Sequence, residues 1–114
     1  MTAIKSFTSL EQSRKLAEFL LIESADMCYE VGEDLDGYIT KTIYTPLMHT
    51  PYNDDYIPCW SLAALLSVLS EYTLKSNKFY GKVALWCQGI SVECNNTVDT
   101  CYEMILKLHE LNLL

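Results

Sequence analysis

The stretch Ile57-Pro58-Cys59-Trp60-Ser61-Leu62-Ala63-Ala64-Leu65-Leu66-Ser67-Val68-Leu69 locates the core. Pro58 punctuates the chain, Trp60 supplies a large apolar anchor, and Ser61 offers a side-chain oxygen to the first free N–H groups of a helix. Leu62, Leu65, Leu66 and Leu69 then recur at helical spacing, while Ala63 and Ala64 permit close approach by a neighbour. Each of these residues has a packing role. None completes a nucleophile–base pair, a metal-ligand spacing or a phosphate loop, so this segment says where the core is and leaves the function open.

Working outward toward the N-terminus, Thr8-Ser9-Leu10-Glu11 fits a capping box with Thr8 at the N-cap, and Leu10, Leu16, Ala17, Leu20 and Leu21 follow on one face. A first helix over about residues 9–21 is expected. Residues 27–31 alternate weakly, Gly32-Glu33-Asp34-Leu35-Asp36-Gly37 is turn chemistry, and Tyr38-Ile39-Thr40-Lys41-Thr42-Ile43-Tyr44 is β-branched and aromatic, which together predict a hairpin. Pro46, Pro51 and Pro58 bracket a segment containing Asn53-Asp54-Asp55, which reads as a long surface loop because prolines cannot donate in a central strand.

Toward the C-terminus, residues 71–78 read as polar and turn-like. Residues 79–87 and 90–94 read as two strands around Gln88-Gly89, with alternation poor enough on one of them to suggest a central position. Asn96 or Thr97 then caps a third helix whose expected buried stripe is Val98, Cys101, Tyr102, Ile105, Leu108 and His109, with Lys107 near the end where a cation suits the helix dipole. The expected fold is a single α+β domain over 1–114 in the order α-β-β-α-β-β-α, mainly an antiparallel sheet with helices packed against it.

At 114 residues, 50% of them hydrophobic and 20% charged, the chain is large enough to bury one core without disulfides or metals. The formal charge is -7. Between Lys15 and Lys41 there is no basic residue, whereas Glu18, Glu23, Asp26, Glu30, Glu33, Asp34 and Asp36 are all acidic. Direct nucleic-acid binding is not expected of such a chain, since phosphate neutralisation drives that affinity; a basic protein partner or a cation is attracted instead. The five cysteines include no CxxC pair, and no apolar signal segment opens the sequence, so reduced thiols in the cytoplasm are expected. The longest apolar run contains Pro58 and falls short of the roughly 20 residues a membrane helix needs.

The segment 32–43 resembles a calcium loop at Asp34, Asp36 and Gly37, but Gly32 and Ile43 stand where the first and the bidentate ligands belong. Cys87, Cys94, Cys101 and His109 provide soft ligands without the close pairs that form a zinc knuckle. A thiol enzyme would use Cys59 with His49, oriented by Asp54 or Asp55. The four glycines are isolated, which excludes a dinucleotide or Walker loop. No cofactor or metal is expected. Among the eight tyrosines, Tyr38, Tyr44, Tyr52 and Tyr56 cluster around the proline-bracketed segment and supply contact area at little entropic cost. With Glu30, Glu33, Asp34 and Asp36 they form the expected partner-binding set.

The segments Glu23-Ser24-Ala25-Asp26-Met27, Ile57-Pro58-Cys59-Trp60-Ser61-Leu62-Ala63-Ala64-Leu65-Leu66 and Val98-Asp99-Thr100-Cys101-Tyr102-Glu103-Met104-Ile105 together resemble small uncharacterised proteins of gut Bacteroidales and their prophages or mobile elements. That resemblance implies a bacterial or phage protein working in the cytoplasm. It carries over no catalytic or binding residue, because no activity is assigned to the family. The expected function is therefore that of a small acidic interaction or accessory protein, monomeric or a small homo-oligomer, acting through a protein-binding surface. The alternatives are a small Cys59/His49 enzyme and an acidic nucleic-acid mimic that inhibits a host protein.

Overall fold

A computed structural model describes residues 5–33, 39–44, 56–77 and 79–114, with backbone register alone for 30–33, 39–44 and 56. Helix α1 spans Leu10–Leu16, a single 3-10 turn covers Ile22–Ser24, and strands β1, β2 and β3 run over Met27–Glu33, Ile39–Tyr44 and Tyr56–Cys59. Helix α2 follows at Leu62–Val68, then β4 at Tyr72–Asn77, β5 at Lys82–Cys87, β6 at Ile90–Cys94 and helix α3 at Thr97–Glu110. The α+β class and the antiparallel pairing are those expected, but there are two three-stranded sheets, ordered β2-β1-β3 and β4-β5-β6.

Two strands are additional to the sequence expectation, and both are edges. β3 includes Pro58, opposite Cys28 of β1, and an edge tolerates proline because one side of its ladder is unpaired. β4, which reads as turn-like, is exposed along its whole length, so burial imposes no periodic pattern on its sequence. The expected hairpin of β1 and β2 is present, in register from Cys28 opposite Tyr44 to Glu33 opposite Ile39. β5 and β6 join through Gln88 (φ 50°) and Gly89 (φ 80°), the two positive dihedrals of a type I′ turn.

The helix ends follow their capping chemistry. In α1 the capping box is one residue later than expected: Ser9 is the N-cap and accepts from the Gln12 N–H, while the Gln12 side chain accepts from the Ser9 N–H. Thr8 is instead buried. Its Oγ1 accepts from the Trp60 N–H at 3.2 Å and shares a 2.7 Å hydrogen bond with Ser13 Oγ. α1 also ends at Leu16, short of the expected 21. Ser61 caps α2 as expected, accepting from the Ala64 N–H, and Asp26 accepts from both the N–H and the hydroxyl of Ser61. Asn96 caps α3, which closes with Asn112 at φ 57° and a Leu113 N–H to Leu108 C=O bond of 2.8 Å.

The core lies between the second sheet and the helices. Leu16, Trp60, Leu65, Leu69, Leu85, Val98, Cys101, Met104, Ile105 and Leu108 are buried together, and Leu62, Leu66 and Tyr102 pack partly against them. Trp60 Nε1 donates to Ser24 Oγ at 2.9 Å, satisfying the indole N–H at a fully buried site. His109 departs from the expected stripe. It is exposed and its ring stacks on Phe19 with centroids 3.9 Å apart, while Thr100 and Met104 take the buried positions. The first sheet is tied to this core by residues 5–9. Phe7 bridges Ser61, the Thr8 N–H donates to Trp60 C=O at 2.9 Å, and the Tyr29 hydroxyl donates to Thr8 C=O at 2.8 Å.

Candidate functional site

Of the acidic and aromatic residues singled out in the sequence, Glu30, Glu33, Tyr44 and Tyr56 fall on the first sheet. β1 carries Glu30 and Glu33, Tyr44 closes β2 and Tyr56 opens β3. Register sets Glu30 between Thr42 and Tyr56, and Tyr44 opposite Cys28 one step along, so the sheet brings Glu30, Tyr44 and Tyr56 to neighbouring ladder positions. Asp34, Asp36, Tyr38 and Tyr52 lie outside the described residues, as do His49, Asp54 and Asp55.

Cys59 is fully buried, with its Sγ 3.6 Å from Thr8 Oγ1 and 3.5 Å from Thr8 C=O. Burial pushes its thiol pKa up, and the hydrogen bonds of Thr8 and Ser13 only partly oppose this. The sulfur is therefore protonated at neutral pH and out of reach of substrate, the opposite of the exposed, depressed thiol that nucleophilic catalysis needs. Cys87 and Cys94 sit at opposite ends of the β5–β6 hairpin, because Cys87 pairs with Ile90 and Cys94 with Val83. Cys101 is buried in α3 and His109 stacks outside, so these four groups do not converge. Among the described residues no group of three or more His, Cys, Asp or Glu side chains is placed to hold a metal. None of the five cysteines is joined in a disulfide.

A groove lies elsewhere, on the solvent face of the second sheet. Strand alternation sends Leu85 and Cys87 into the core and leaves Trp86 between them facing out, 42% exposed. Cross-strand register then builds that face in rows: Thr73, Trp86 and Ser91; Lys75, Ala84 and Glu93; Asn77 and Lys82. Ala84 is the small residue in the middle. It floors a groove of about 500 Å³ between Trp86, Lys75, Lys82 and Phe79. The turn after β4 is fixed by Asn77, whose Oδ1 accepts from the N–H groups of Phe79 and Tyr80, and Gly81 takes φ 64° to close it. This geometry holds Phe79 almost wholly in solvent, 97% exposed. Lys82 is anchored by a 2.8 Å hydrogen bond from Nζ to Asn95 Oδ1.

No protein-family model matches the chain, and no curated protein or solved structure matches it either.

The composition of this face differs from that of the chain. Residues 72–93 carry Lys75, Lys78 and Lys82, out of eight basic residues in all, and a single acidic residue, Glu93. A protein of net charge -7 thus gathers three of its eight basic residues within this stretch. Sequence reading missed this surface because the Val83-Ala84-Leu85-Trp86-Cys87 run is apolar throughout and hides which residues face outward. The signal was there in the lysines spaced along residues 75–82. Among the described residues no helix is long and apolar enough to cross a membrane.

Proposed function

We propose that the chain is a small interaction or accessory protein of a phage or mobile element, working in the cytoplasm through protein-binding surfaces rather than through a catalytic centre. Trp86 carries this reading. A tryptophan exposed at the centre of a sheet, beside the exposed Phe79 and a groove, is the residue type and setting that dominate binding energy at protein interfaces. Burial of Cys59, with its raised pKa, supports an interaction role over a thiol enzyme. A second contact is proposed at the acidic hairpin, where Glu30, Glu33, Asp34 and Asp36, with Tyr38, Tyr44, Tyr52 and Tyr56, would attract a basic protein partner without direct nucleic-acid binding. The chain itself is taken as a monomer or small homo-oligomer.

The test is to express the full chain and its Trp86→Ala variant in the cells that naturally encode it, and to compare the protein captured by each at equal fold stability. Trp86→Ala should lose the partner, since truncating a central aromatic typically costs about 2 kcal/mol or more of binding. Retention of the same partner at the same affinity would remove Trp86 and this face from the account.

A further inference from the structure

We infer that the open edge of β4 is a docking site for an extended acidic segment of another protein, added as a fourth strand to the second sheet; this rests on the interaction reading above and names its partner class. β4 has β5 on one side and no described strand on the other, and all six of its residues are exposed. An edge of this kind leaves alternate backbone N–H and C=O groups unpaired, which is the template for strand addition.

The two faces of the edge specify what an incoming strand must look like. Tyr72 and Leu74 lie in register with Cys87 and Leu85, on the side of the sheet that covers the core, yet both are exposed. Helix α3 packs beneath β5 and β6, and β4 extends beyond that cover. An added strand therefore meets an apolar shelf on that side. On the other side it meets Thr73, in the row that leads to Trp86, and Lys75, in the row that leads to Ala84 and Glu93. The complement is a segment alternating apolar and acidic residues, with acids toward Lys75 and apolar side chains toward Tyr72 and Leu74.

Lysine on an edge strand also blocks indiscriminate pairing. Two β4 strands would bring their lysines together across the new ladder, whereas an acidic strand turns the same charge into attraction, so Lys75 selects the partner as well as guarding the edge. Lys82 adds a second positive charge on this face, and the carboxylate of the face, Glu93, lies two strands in from the edge, beyond Ala84.

The experiment uses the isotope-labelled full chain and a synthetic peptide of about eight residues alternating valine and glutamate. Amide exchange is followed residue by residue. Every second amide of Tyr72–Asn77 should slow by about tenfold or more at saturating peptide, the pattern that ladder formation imposes. Lys75→Glu should weaken binding by about tenfold, as should raising ionic strength from about 0.1 M to about 1 M, where the screening length falls from about 10 Å to about 3 Å. The inference is overturned if β4 amides stay unprotected, or if a valine–lysine peptide or an N-methylated copy binds equally well. It is also overturned if oligothymidine gives the same protection, or if β4 amides slow with protein concentration alone, which would make the occupant a nucleic acid or a second copy. Should the peptide leave β4 untouched while Trp86→Ala still loses the cellular partner, this inference fails and the interaction reading stands. The reverse result separates them the other way.

Discussion

Leu65→Ala is the perturbation that most directly probes the core on which both sheets depend. Leu65 is fully buried in α2, packed in the same cluster as Trp60, Leu85 and Ile105. Removing three carbons costs about 0.8 kcal/mol each in transfer free energy, roughly 2.4 kcal/mol. A residual cavity of about 50–100 Å³, at about 24 cal/mol per Å³, adds roughly 1–2 kcal/mol if the helices do not collapse onto it. The expected loss is therefore about 3.5–4.5 kcal/mol, with no helix-propensity penalty because alanine is the best helix former. Urea unfolding followed by tryptophan fluorescence should show a lower midpoint at unchanged slope. Leu66→Ala on the half-buried side of the same helix should lose clearly less. A loss below about 1 kcal/mol for Leu65→Ala would refute the placement of this helix face against α3 and the second sheet.

Three further outcomes follow from the electrostatics. Burial pushes the Cys101 thiol from 9.0 up to about 11, so the folded chain keeps a proton that the unfolded chain loses, and stability should fall by about 2–3 kcal/mol between pH 9 and 11. Tyr29, raised to about 12 by burial and by Cys59, acts in the same direction, and Cys101→Ala should flatten the profile measured by urea unfolding at each pH. At acid pH the sign reverses. Partial burial lifts the Asp99 carboxyl, but hydrogen bonds from Lys5, Gln12 and Asn96 outweigh it and hold the pKa below 3.8, so its contribution is present at neutral pH and lost as pH falls through the folded value. Asp99→Asn should remove about 1 kcal/mol or less at pH 7, the partly exposed Lys5 pair being screened by solvent, and should blunt the acid limb of unfolding. Reversing Glu30, Glu33, Asp34 and Asp36 to lysine should leave the thermal midpoint within a few degrees while slowing association with a basic partner, an effect that fades with salt because the field decays within about 8 Å at physiological ionic strength; an unchanged association rate would reduce the stretch to a solvated hairpin.

The parts of the fold legible from sequence are those whose signals are local. Ser61 and Asn96 announce helix starts by side-chain chemistry, and Gln88-Gly89 announces a hairpin by its tolerance of positive φ. The α1 cap was displaced by one residue because Thr8 and Ser9 are equally able to cap, and tertiary contact decided between them by drawing Thr8 toward Trp60 and Ser13. β4 and β3 were not legible because edge strands are held by one neighbour's backbone, which leaves no alternating burial in the side chains. His109 read as buried from its spacing, yet stacking on Phe19 satisfies an imidazole at the surface just as well. The Trp86 face escaped because a central strand with an apolar outward residue looks, in one dimension, like a strand buried on both sides.

The central claim is that the second sheet, and not a buried thiol, is where this chain meets its partner. Amide exchange of the full chain, alone and with the captured partner, tests it most directly. The account predicts slowed exchange over residues 72–77 and 82–93, abolished in Trp86→Ala, with α1 and α3 unchanged. Protection confined to the helices or to the surroundings of Cys59, with residues 72–93 exchanging as in the isolated chain, would contradict it.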